Sequence, residues 1–338
     1  MEREVRNRGL GLLCYRPCFV ESVSKVEVTT KTEGDILTRT YTTPVGSITE
    51  RLKFGVGYGQ GRYGRDWKGM QPRRIEFAVK NTEDYDVLKF IIENTHYEPY
   101  YFAIEDQQKR LGDDGIVVAR IGYSPFQRLL IQWVGPRLYI HHARQRELVD
   151  AVYSILEERC EAELFPIAAD SPTEVVLYGD NIDGVLVSPQ IFEEYHLPSY
   201  TKCAEMLHAK GKLLDVHMDG RLKNISSLIA NSDIDIVEAF TPPPMGDFSI
   251  EEALSMWKEK ILWVNFPSSV SVLMGPSDVK KYLVEQLKLM IPGARLLIIA
   301  STENYLPEEN LRVMTEVMQR ARLPLSKEEI SAMETSLD

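Results

Sequence analysis

The chain has 338 residues, 44% of them hydrophobic and 26% charged, the balance of an ordinary globular protein. No window reaches the apolar length needed to span a bilayer, and a formal charge of −11 excludes a broad electrostatic footprint for DNA or RNA while permitting a local basic pocket. The expected partners therefore include neither nucleic acid nor membrane.

In chain order, residues 1–8 are charged and precede only a short apolar stretch at residues 9–14. That is too brief and wrongly flanked for a signal peptide, so the expected compartment is the cytoplasm. Four cysteines, Cys14, Cys18, Cys160 and Cys203, are too few for a disulfide framework. Cys14 and Cys18 have four-residue spacing, but no matching Cys or His pair follows to complete a zinc set. From residue 25 to residue 80 apolar and polar residues alternate around the turn formers Gly34 and Pro44, the pattern of antiparallel hairpins. Strands are expected at 26–30, 35–41 and 74–79. Between them lies a loop, residues 55–67, rich in glycine and aromatic residues, whose Arg62 and Arg65 make it a secondary candidate for an anionic ligand.

A helix is expected to begin at Asn81-Thr82 and run to Ile92. A strand at 116–121 leads to Gly122 and Tyr123, and residues 126–163 carry helical spacing. From there the rhythm is strand, loop, helix. Apolar strands at 174–178, 213–216, 234–237, 261–264 and 296–300 each run into polar residues: Asp180 and Asn181, His217 and Asp219, Glu238, Asn265, and Glu303. Helix starts fall between them at Ser188-Pro189, at a Ser249/Glu252 capping box, at Pro276 and at Pro307.

This repetition predicts an α/β fold, a (β/α)8 TIM barrel over residues 111–338, with an N-terminal antiparallel β elaboration over residues 1–110 packed on it. Six barrel strands are countable from Ile116 onward, leaving one or two to the N-terminal third. In such a barrel the C-terminal strand ends share one mouth. His217 with Glu238 and Glu303 is the ligand set of a zinc site with an open position. Without a cation, Asp180, Asp219, Glu238 and Glu303 raise one another's pKa values, and a pair of them can serve as general acid and base. Asn181, Asn265, Tyr178 and Tyr123, all at strand ends, are candidates for substrate contact. The proline-rich loop at 240–247 is suited to a fixed wall beside a pocket.

Four segments carry a resemblance: Tyr178-Gly-Asp-Asn181; Ser188-Pro-x-x-Phe192-x-x-Tyr195-x-x-Pro198; His217-x-x-Gly220; and Pro307-Glu-Glu-Asn310. In this order, over about residues 116–322, the chain resembles the uroporphyrinogen decarboxylase superfamily, which includes cobalamin-dependent methyltransferases. The arginine motif by which true uroporphyrinogen decarboxylases hold propionates has no match in the first 110 residues, so the resemblance lies nearer the methyltransferase branch. It implies zinc and a methylcobamide carried by a partner corrinoid protein, with a small methylated substrate or methyl acceptor. Asp219 stands where that branch has a cysteine ligand; His217 carries over directly, and Glu238 and Glu303 are the inferred replacements. Asp180, Asn181 and Asp219 would orient the reacting group and Asn265 would bond substrate. The alternatives are a uroporphyrinogen-type decarboxylase, with Arg62, Arg65 or Arg120 on substrate carboxylates, and a non-catalytic corrinoid or tetrapyrrole binding protein. A homodimer is the default assembly.

Overall fold

The structure, a computed structural model, describes residues 6–54, 72–299, 307–322 and 324–335. The chain forms two compact units, one of residues 1–16, 102–120 and 172–338 and the other of residues 17–101 and 121–171. A single cut near residue 110 does not describe this division, because the chain passes between the units several times.

Among its described residues the first unit contains a seven-stranded sheet. Its strands are β1 (Leu12–Pro17), β2 (Gly115–Arg120), β3 (Val175–Ile182), β4 (Leu213–Met218), β5 (Ile236–Phe240), β6 (Ile261–Asn265) and β7 (Leu296–Ile299), and their spatial order is their chain order. The pairs from β2 through β7 are parallel. β2 to β7 are the six strands legible from Ile116 onward, and β1 is what the N-terminal third adds. The described residues thus give seven strands where eight are expected for a TIM barrel.

The sheet is curled. A flat sheet of seven strands would be roughly 29 Å wide at ordinary strand spacing, yet Leu13 of β1 and Leu297 of β7 pack into the same apolar core as Val118, Val175, Leu177, Ile236 and Trp263. That core is the concave face. Helices such as Leu197–His208, Ile250–Met256 and Pro276–Leu289 follow the strands, and β5 is buried at every residue, as a parallel strand covered on both faces should be. The helix signals in the sequence are made as expected: Ser188 Oγ accepts from the Ile191 amide, and Ser249 and Glu252 form a reciprocal capping box.

The second unit holds a four-stranded antiparallel sheet of Glu27–Glu33, Ile36–Thr43, Gly46–Lys53 and Arg73–Glu76, and a two-stranded ribbon of Phe19–Val23 with Thr95–Pro99. The hairpins turn at Gly34, whose φ is +61°, and beyond Pro44. Ile48 and Leu52 alternate with less buried neighbours on the third strand, and the buried Glu50 between them is satisfied by Arg39 at 2.9 Å, Arg74 at 2.6 Å and Tyr41 at 3.1 Å. A helix runs over Asp84–Glu93, near the expected start. The glycine-rich loop with Arg62 and Arg65 lies outside the described residues. All four cysteines are free thiols. Among the described residues no helix is long and apolar enough to cross a membrane.

Candidate functional site

Successive side chains on a strand point to opposite faces. Because Val118, Leu213 and Ile236 lie in the concave core, the residues two and four further along their strands share that face: Arg120 on β2, Asp215 and His217 on β4, Glu238 on β5. β1 adds Tyr15, two residues after Leu13. A polar layer therefore sits directly above an apolar one, at the C-terminal end of the sheet.

Two hydrogen bonds organise it. His217 and Glu238 are register partners on adjacent strands, and His217 Nδ1 bonds Glu238 Oε2; a carboxylate oxygen only accepts, so Nδ1 carries the proton. Tyr15 Oη donates to Glu238 Oε1 at 2.9 Å. Tyr15 is four strands from Glu238 along the sheet, roughly 19 Å if it were flat, so only the curl closes this contact. The result is a chain Tyr15–Glu238–His217 in which both oxygens of Glu238 are engaged and His217 Nε2 is left facing outward from the pair.

The titration of the layer follows from its burial. Tyr15 is pushed up by desolvation and by the charge of Glu238, so it stays a donor. Asp215 is wholly buried and raised well above the usual carboxyl range by desolvation and by Glu238. Among the described residues neither of its carboxyl oxygens has a hydrogen-bond partner of good geometry, its nearest help being the Val216 amide, so its surroundings favour the protonated form. Burial pulls the His217 imidazolium down, but the hydrogen bond and charge of Glu238, with Asp219, outweigh it and the net shift is up. Asp219 is raised by burial and by Asp183, against the pull of His217.

The loops above these strands are pinned together. Asp183, after β3, accepts from the Val185 amide at 2.6 Å and the Arg221 amide at 3.4 Å. Asn224 donates to the Gly184 carbonyl at 2.8 Å. Asp247, after β5, accepts from the amides of Leu222 and Lys223 at 2.9 and 3.1 Å. Left-handed backbone at Asn181 (φ +52°) and Ala239 (φ +59°) turns the ends of β3 and β5, next to the layer, where backbone strain commonly collects.

The residues singled out from the sequence divide accordingly. His217, Glu238 and Asp219 come together. Asp180 and Tyr178 do not join them: they lie on the opposite face of β3 from Val175 and Leu177, wholly buried. Tyr200 Oη donates to Asp180 Oδ2 at 2.6 Å, and Tyr178 Oη lies 3.5 Å from Ser199 Oγ. These bonds fasten the helix Leu197–His208 to the sheet. Asn181 is exposed at the strand end. Asn265 borders a cavity of about 10 Å³, room for one water, lined also by Tyr282 and Gln286. Tyr123 belongs to the second unit, and Glu303 lies outside the described residues. Sequence reasoning passed over Tyr15 and Asp215. The signal for the second was present, an acid between leucine and valine in the middle of an apolar strand.

Of the three zinc donors expected, His217 fits through Nε2. Glu238 fits better as the carboxylate that orients a ligating imidazole from behind than as a ligand. Among the described residues no group of three His, Cys, Asp or Glu side chains converges as a metal site needs.

No family model and no curated protein sequence matches the chain. Among solved structures the fold is similar to a methyltransferase from Methanosarcina mazei, with a TM-score of 0.52 and 16% sequence identity over 73% of this chain and 71% of that one. That likeness is one of fold.

Proposed function

We propose that this protein is a barrel methyltransferase that exchanges a methyl group between a small substrate and the corrinoid of a separate protein, with the His217–Glu238 pair handling the proton of the nucleophile. The observation that carries this is the Tyr15–Glu238–His217 chain at the C-terminal end of the curled sheet, where enzymes of this architecture place their chemistry. The motifs around Tyr178, Ser188, His217 and Pro307 and the fold likeness to a methyltransferase support the choice of reaction. The same reading closes the seven described strands with an eighth.

For a thiol acceptor the atoms balance as follows. The sulfur bonds the methyl carbon, the cobalt–carbon electron pair stays on cobalt, and the thiol proton passes to His217 Nε2. His217 Nδ1 keeps its hydrogen bond to Glu238, whose charge stabilises the imidazolium formed, and Tyr15 holds Glu238 in place. Burial and the neighbouring Glu238 favour the protonated form of Asp215 below, which limits the negative charge in the layer. Zinc, if held by His217 Nε2 with donors beyond the described residues, would supply Lewis acidity to the thiol.

The test is to incubate the protein with free methylcobalamin and a small thiol and to follow loss of the cobalt–methyl absorbance. Transfer by the wild type and its loss in His217→Ala is the expected result. Unaltered transfer in His217→Ala, or turnover of uroporphyrinogen in place of methyl transfer, overturns it.

A further inference from the structure

The strand Glu27–Glu33 of the second unit pairs on one side with Ile36–Thr43, without a register shift. Among the described residues no strand lies on its other side, since it ends the four-stranded sheet. All seven of its residues are exposed. Such an edge offers a row of backbone N–H and C=O groups to another chain, and proteins usually blunt it with proline, a bulge, charge or a very short strand. The opposite edge of this sheet is blunted, because Arg73–Glu76 has only four residues and pairs through a register shift at Arg51 and Leu52. Glu27–Glu33 carries no proline, glycine or bulge and is rich in β-branched residues, which suit a strand. Its one deterrent is charge, and that deterrent fails against a chain whose charges fall in complementary order.

The chain itself supplies that order. The hairpin turns through Gly34 and Asp35, so the closing pair Glu33 and Ile36 exchanges hydrogen bonds within the sheet and the even-numbered residues Val28, Thr30 and Thr32 direct theirs outward. In an antiparallel ladder those outward residues must meet one another, which leaves few registers for a second copy related by a two-fold axis. Centring on Thr30 sets Glu27 against Glu33, centring on Lys31 sets lysine against lysine, and centring on Val28 brings Lys31 opposite Lys25. Centring on Thr29 sets Glu27 against Lys31 twice and covers Val28, 46% exposed, with Thr30 of the second copy. Lys31 bonds Glu33 at 2.6 Å within its own chain, and its ammonium has further donors for Glu27 of the second copy.

We propose that Glu27–Glu33 is a dimer interface, at which two copies of this chain join edge to edge about a two-fold axis at Thr29 and their four-stranded sheets continue as one. The strand pairing supplies about four backbone hydrogen bonds, and the axis closes the assembly at two copies. The exposed Glu27–Lys31 pairs select register and partner more than they add affinity.

Sedimentation velocity of the full chain over a concentration series is the experiment. The wild type is expected to pass from monomer to dimer through the micromolar range, as befits a small interface. Glu27→Lys and Lys31→Glu each set like charges opposite one another twice and should each weaken the dimer about tenfold. The double variant Glu27→Lys/Lys31→Glu should recover it, and so should an equal mixture of the two single variants, as a heterodimer. Thr30→Pro removes an outward N–H while sparing the ladder to Ile36–Thr43 and should abolish the dimer. The charge variants lie at exposed positions, so the test stands even where the proline variant fails to fold. A wild type that is monomeric at every concentration overturns the interface, as does a dimer that none of these substitutions weakens. Failure of both the double variant and the mixture to recover dimerisation overturns the register at Thr29.

Discussion

Asp180 on β3 and Asp215 on the adjacent β4 are both wholly buried, and their surroundings could hardly differ more. Asp180 faces the helical layer and receives a 2.6 Å hydrogen bond from Tyr200, with His196 3.8 Å away. Asp215 faces the concave core with neither carboxyl oxygen properly bonded among the described residues, and burial beside Glu238 raises its pKa. Burial alone therefore does not mark a site. A buried acid with its partners supplied is part of the frame, whereas one left unsatisfied among other titrating groups is a candidate for function.

The contrast can be broken most decisively at His217. If the concave face is the working one, His217→Ala should lower turnover by about a hundred- to ten-thousandfold, the usual worth of a positioned proton acceptor, with thermal stability little changed. Glu238→Gln should fall in the same direction and also shift the pH profile, since His217 loses the charge that raises it. A steady-state pH series on the two variants checks both.

On the opposite face the ordering of effects should reverse. Tyr200→Phe removes the donor to a sealed carboxyl and should cost about 1–3 kcal/mol of stability, read by chemical denaturation, while turnover per folded molecule is retained. A large loss of turnover with unchanged stability would place Asp180 in the chemistry after all.

Asp215 itself predicts a pH dependence. Its folded pKa lies above its unfolded value, so wild-type folding gains from it fully below the unfolded pKa, about 3.9, and loses that contribution as the pH rises toward the raised folded value. Asp215→Asn abolishes this slope. Its stability relative to the wild type should increase from acidic to neutral pH, and denaturation series at the two ends of that range would show a constant difference if Asp215 were an ordinary carboxylate.

The smallest effect is expected at Ala239, in left-handed backbone beside Glu238. Ala239→Gly relieves roughly 1 kcal/mol of local strain, partly offset by the greater entropy glycine loses on folding. A small rise in melting temperature is the expected readout.

Much of the architecture was open to the eye in the sequence, because apolar strands of four or five residues alternating with capped helices leave few folds to choose among. The pairing of His217 with Glu238 was also within reach, since both follow adjacent strands. Facing direction was not. β3 is buried on both sides over most of its length, so it carries no alternation by which to tell that Tyr178 and Asp180 point away from the face that Val175 and Leu177 share. Tyr15 was hidden for a different reason: Leu12–Pro17 is a short strand with Cys14 and Arg16 among its residues, and its place in the parallel sheet depends on partners a hundred residues away. Arg120 was visible as a charge at a strand end, but that no described residue pairs with it is a property of three dimensions only.

The pins at Asp183, Asn224 and Asp247 have a consequence for how this protein can change. Three loops that in other barrels vary independently are here one mechanical part, so a substitution in any of them is screened first by whether the other two still fit. New specificity should then be reached most readily at exposed side chains that leave those bonds alone, such as Val185, Arg221 and Met245. A library that randomises a whole loop should return mostly unfolded rims, and one confined to these three positions should return folded proteins with altered substrate range.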